Sequence, residues 1–111
     1  MWLTTFPVSA VTRSNFYLPD EDFCAVYQGS INSEHQFILS VKQENKLTIQ
    51  ANNDLKVAVI RQGKIITPYQ IQASKTPMIS QWFYYTKLQQ KHIISIKGHT
   101  SQAKIRLCLI K

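Results

Sequence analysis

Residues 35–60 constrain the fold of this chain more than any other stretch. They read HQFILSV, KQEN, KLTIQAN, ND and LKVAVI in succession. Phe37, Leu39 and Val41 alternate with Ile38 and Ser40. Leu47, Ile49 and Ala51 alternate with Lys46, Thr48 and Gln50, and Leu55, Val57 and Val59 with Lys56 and Ala58. Successive side chains on a strand point to opposite faces, so each run offers one apolar row to a core. The connections are rich in Asn, Asp, Gln and Lys, as turns between strands are. The pattern predicts a β-meander of three strands.

The rest of the chain follows the same period. Phe23, Ala25 and Tyr27 share one face and Cys24 and Val26 the other, with Gly29 marking a bulge or a close backbone approach. A turn is expected at Asn32-Ser33-Glu34. Arg61-Gln62-Gly63-Lys64 reads as a tight turn in which glycine supplies a positive φ. Residues 65–71 form a short strand interrupted by Pro68, and residues 72–80, with Pro77, read as the longest loop. In QWFYYTK (81–87), Trp82 and Tyr84 face one way, Phe83 and Tyr85 the other. HIISIK (92–97) and AKIRLCLI (103–110) are strands around a turn at 98–102. Ile105, Leu107 and Leu109 point inward, which leaves Cys108 on the side of Lys104 and Arg106. No segment has a 3.6-residue period. About eight strands at roughly ten-residue spacing predict an all-β, antiparallel sandwich or small barrel. At 111 residues it is a single domain, with residues 1–22 as an N-terminal arm or edge strand and 23–111 as the β-domain.

Charge is distributed unevenly. The net charge is +7, and all six acids (Asp20, Glu21, Asp22, Glu34, Glu44 and Asp54) precede Leu55. The basic remainder creates a field that attracts acidic partners: nucleic acid, an anionic polysaccharide or membrane surface, or an acidic protein face. A spread-out basic surface also serves solubility alone.

The two cysteines, Cys24 and Cys108, match no zinc or CxxC spacing. They pair as a disulfide if the first and last core strands are neighbours, which fits an oxidising compartment. Otherwise they are half-buried thiols. No apolar run is long enough to span a membrane as a helix. MWLTTFPVSAVTR lacks the features of a signal peptide. The chain is therefore expected to be periplasmic or secreted if a signal has been removed, and cytoplasmic otherwise.

Catalytic constellations are not visible. His35, His92 and His99 form no metal-ligand spacing, and no base is placed near either cysteine. The acids form no pair suited to glycosidic chemistry, and the cluster at 20–22 reads as a solvated turn. No enzyme, metal or cofactor is expected. The remaining signal is aromatic and basic: Trp82, Tyr84 and Tyr85, with Lys75, Lys87 and Lys91, are the candidate binding residues. Such rings stack on bases or sugars, or they fill a core.

Several motifs resemble those of the bacterial pre-peptidase C-terminal domain and of the periplasmic inhibitors of goose-type lysozyme. Gln28-Gly29-Ser30-Ile31 is similar to the SGxI lead-in, residues 46–51 to the xLxIxL strand, and residues 53–59 to xDLxVxV. QWFYYTKLQQKHIISIKG resembles the late hairpin, and AKIRLCLIK the closing strand. Asn45 stands where a glycine is usual, and Asn52 replaces the first aspartate of Asp-x-Asp-Leu, which weakens the carry-over of a calcium site to Asp54. The resemblance implies a jelly-roll-like β-sandwich. It also implies an exported, non-catalytic module that binds a protein, such as a lysozyme-like hydrolase, or a polysaccharide. Two other readings of the sequence stand beside it: an OB-like single-stranded nucleic-acid binder, and a structural or interaction subunit of a larger assembly.

Overall fold

The computed structural model describes residues 11–16, 23–40, 46–52, 54–75, 78–87 and 90–110. Eight strands are formed among them: β1 (Val11–Phe16), β2 (Phe23–Ser40), β3 (Lys46–Asn52), β4 (Lys56–Arg61), β5 (Lys64–Ile66), β6 (Gln70–Lys75), β7 (Met78–Tyr85) and β8 (Lys91–Ile110). The expected turns at 42–45 and 20–22 lie outside the described residues, as do Pro77, Leu88 and Gln89.

The fold is all-β, and two long strands organise it. β2 and β8 pair antiparallel along their whole lengths, from Phe23↔Leu109 to Ser40↔Lys91. The first half-sheet runs β1–β2–β8–β4–β5 and uses residues 34–40 of β2 and 92–97 of β8. The second runs β2–β8–β3–β7–β6 and uses residues 23–29 of β2 and 103–110 of β8. Every pairing is antiparallel except that of β1 with β2.

The sheet is folded back on itself between the halves. An extended strand would separate Tyr27 from His35 by about 27 Å, yet their ring centroids are 4.7 Å apart. Phe37 also lies 5.5 Å from Tyr27. The register shifts between Gly29 and Ile31, and Ser33 has φ 87°, a conformation that a non-glycine residue adopts only when its surroundings enforce it. The Tyr27 hydroxyl braces the bend by donating to the Ser30 carbonyl at 2.9 Å. Inward rows from both halves then meet in one core: Phe37, Leu39, Val59, Ile94 and Ile96 against Leu47, Ile49, Ile105, Leu107 and Tyr84.

Three expectations are corrected. Residues 35–60 are not a meander, because β2, β3 and β4 pair with β8 and not with one another. Turn composition shows where a strand ends but not which strand lies beside it. The turns expected at 32–34 and 98–102 are folds within continuous, paired strands. The loop expected at 72–80 is a hairpin in which Gln72↔Gln81 and Ala73↔Ser80 are paired, so the partner strand overrides the weak β-propensity of Gln, Ala and Ser. The tight turn at 62–63 is present, with φ 53° at Gln62 and 75° at Gly63, as a two-residue hairpin requires.

Candidate functional site

Strand parity sorts the aromatic residues of β7. Tyr84 lies opposite Leu47 and is 2% exposed, so it belongs to the core and its hydroxyl is pushed up to about 12 by burial. Trp82 lies opposite Ile49 and Ile71 and packs half-buried against the same core. The Tyr84 ring is not free to stack on a ligand as the sequence suggested, and Trp82 keeps only its exposed part for one. Phe83 and Tyr85 point outward.

The outward rings gather a residue that the sequence reading left out. Tyr69 donates its backbone N–H to the Phe83 carbonyl at 2.8 Å, which carries the β6–β7 pairing one residue past Gln70. Its ring stacks on Tyr85 with centroids 4.3 Å apart and lies 6.0 Å from Phe83. Tyr69 and Tyr85 are 44% and 57% exposed. Lys46 stands directly opposite Tyr85. The signal in the sequence was the two-residue spacing of Phe83 and Tyr85. Tyr69, across a hairpin, carried no local signal.

The candidate lysines do not form one patch. Lys75 lies opposite Met78, at the far end of β7 from Tyr85, about 24 Å away along the strand. Lys87 and Lys91 are exposed on either side of the connection between β7 and β8. His92 organises that connection. It is fully buried, its Nε2 accepts the Lys87 backbone N–H at 3.3 Å, and its Nδ1 lies 3.0 Å from the Gln90 carbonyl. An Nδ1–H tautomer satisfies both contacts. Burial lowers the His92 pKa, the Gln90 carbonyl opposes this, and the Arg61 charge adds to the lowering. His35, stacked on Phe37 at 4.4 Å, is also lowered by burial.

Beyond the rings, the outer face of the second half-sheet is built from amides. Gln50, Gln81 and Gln72 stand directly opposite one another on β3, β7 and β6. With Ala73, Ser74 and Ile79 they line a depression of about 260 Å³. The same row continues to Arg106 on β8, whose guanidinium lies 3.7 Å from the Cys24 sulfur. Cys24 and Cys108 face each other across β2 and β8 and are joined, with Cα atoms 4.1 Å apart. Among the described residues no three of His, Cys, Asp and Glu cluster to hold a metal ion, and no helix is long and apolar enough to cross a membrane.

No protein-family model matches the chain, and no curated protein matches it in sequence. Solved structures similar in fold include two from bacteria. One is the pre-peptidase C-terminal domain of collagenase from Bacillus anthracis, with 8% identity over 93% of this chain and 97% of that one, at a TM-score of 0.53. The other is PliG of Aeromonas hydrophila, a periplasmic inhibitor of g-type lysozyme, with 13% identity over 91% of this chain and 97% of that one, also at 0.53. The likeness suggested by the sequence motifs is thus a likeness of fold.

Proposed function

We propose that this chain is a non-catalytic binding module of the extracytoplasmic space. It engages a protein, with a lysozyme-like hydrolase as the first candidate, or a polysaccharide. Contact is made across the outer face of β3, β6 and β7. The observation that carries this reading is the Tyr69–Phe83–Tyr85 cluster, three outward rings on β7 and the residue leading into β6, beside the amide row. Exposed tyrosines bring large contact area at low entropic cost. The Cys24–Cys108 bond supports an oxidising compartment. One fold neighbour, a periplasmic inhibitor of g-type lysozyme, supports the same compartment and a protein partner.

Titration of the chain against goose-type lysozyme and against soluble polysaccharides tests the reading. The wild type is expected to bind one of them, and the double substitution Tyr69→Ala, Tyr85→Ala to weaken that binding at least tenfold without unfolding the protein. Binding to neither, or binding indifferent to loss of both rings, refutes it. A single-stranded oligonucleotide serves as the competing ligand. Lys75 is set far from the rings, but Lys46 stands opposite Tyr85 and Arg106 opposite Gln50, so tight, salt-dependent binding of the oligonucleotide would favour the nucleic-acid reading instead.

A further inference from the structure

We infer that the amide row is a subsite for a neutral, hydroxyl-rich glycan; this rests on the outer face being the binding face. Gln50, Gln81 and Gln72 come from three adjacent strands and are in register, so the backbones that carry their amides are spaced about 4.8 Å apart across the sheet. That spacing is close to the length of one sugar ring. A glycan laid across the strands meets one amide per ring.

The chemistry of the lining selects the ligand. Each amide offers two donors and an acceptor. A sugar hydroxyl both donates and accepts, so it satisfies either end. A phosphate or carboxylate only accepts, and would leave the amide oxygens facing negative charge. The six residues around the depression carry no charge, although the chain as a whole carries +7. The base that continues the row, Arg106 opposite Gln50, lies outside the depression, with its guanidinium 3.7 Å from the Cys24 sulfur. Apolar contact is supplied by Ile79 in the depression and by Phe83, which follows Gln81 by two residues on the same face. These match the C–H faces of pyranose rings. An extended peptide would find its own chemistry elsewhere, at the backbone groups of a sheet edge.

The test uses cellohexaose and chitohexaose as neutral probes, with heparin and goose-type lysozyme as comparators, read by NMR of the side-chain amides and by calorimetry. One neutral probe is expected to shift the Gln50, Gln72 and Gln81 amide signals. Its affinity should be unchanged between about 50 and 200 mM salt, a range over which an anionic ligand loses orders of magnitude. Gln81→Ala should weaken it about tenfold, the size of one or two lost hydrogen bonds. Gln72→Ala, at the strand next to solvent, gives a second reading if Gln81→Ala perturbs folding. Binding that is steeply salt-dependent, favours heparin, or ignores both substitutions overturns the inference. If neither neutral probe binds while lysozyme binding survives and depends on Tyr85, the glycan subsite falls and the binding face stands. If nothing binds, both fall.

Discussion

The two half-sheets share β2 and β8, yet their outer faces are built differently. On the first half, Ile38, Ile93, Ile60 and Ile65 form one cross-strand row over β2, β8, β4 and β5. Only its end, Ile65, is well exposed, at 73%. Beside this row the Ser95 hydroxyl and the Gln36 amide both donate to the Glu34 carboxylate, at 2.5 and 2.9 Å. On the second half the corresponding rows hold glutamines, tyrosines and the disulfide. The inner faces, by contrast, are alike, with alternating Ile, Leu and Phe. One strand can therefore serve stability on its inward residues and recognition on its outward ones. The outward residues differ between halves because nothing in the core constrains them.

The largest expected effect tests whether the halves are one unit. Phe37→Ala in the first half and Ile105→Ala in the second each remove a fully buried side chain and should cost about 3–5 and 2–5 kcal/mol. Urea denaturation should show a single transition in both variants, monitored by far-UV and tryptophan signals. Two separable transitions would break the shared core.

Next comes the disulfide, which ties only the second half. Its 84-residue separation predicts a loss of about 2–4 kcal/mol in the Cys24→Ser, Cys108→Ser variant, through a less constrained unfolded chain. A thiol assay on the native protein should find no free sulfhydryl before reduction.

Gly98 lies in β8 just past the first half's share, at the bend, opposite Ser33. A Cβ there would sit 2.7 Å from Cδ2 of the buried Leu55, and φ is +152°. Gly98→Ala should therefore cost about 1–3 kcal/mol, read as a lower denaturation midpoint. Gly63→Ala meets no neighbour but keeps a φ of +75°, and should cost only about 1 kcal/mol.

Acid should act through the first half, which holds both buried histidines. Their folded pKa values lie below the ordinary 6.5, so the unfolded chain takes up protons first as pH falls. The stability they contribute is complete above about pH 6.5 and is lost as pH drops through the folded values. Denaturation midpoints measured on either side of that pH should show the decline, and His92→Gln should reduce it.

The smallest effect on stability is expected at the proposed binding face. Tyr85→Ala should change stability by about 0.5 kcal/mol or less, while Tyr84→Ala, one residue away but in the core, should cost about 3–5 kcal/mol. Thermal denaturation of the pair measures how sharply strand parity divides packing from recognition.

Much of this division was legible in the sequence. The inward rows Leu47, Ile49, Ala51 and Ile105, Leu107, Leu109 follow from alternation alone. So does the split of Trp82 and Tyr84 from Phe83 and Tyr85. Which of those pairs faces outward was not legible, because Gln81 and Lys87 mark one parity as polar while Ser80 and Thr86 mark the other in the same way. The core decides it, since Tyr84 falls opposite Leu47.

Local pattern by itself determined that the chain is a set of strands, where most of them lie, and that Gln62-Gly63 closes a hairpin. Tertiary structure alone decided which strands are neighbours. It placed β8 between β2 and β4 and again between β2 and β3, and it made a strand of residues 70–75 by pairing them with β7. The physical reason is that a strand's hydrogen bonds are made to another segment. The same alternation accepts any neighbour, and the choice is made only when both half-sheets bury their inner rows in a common core.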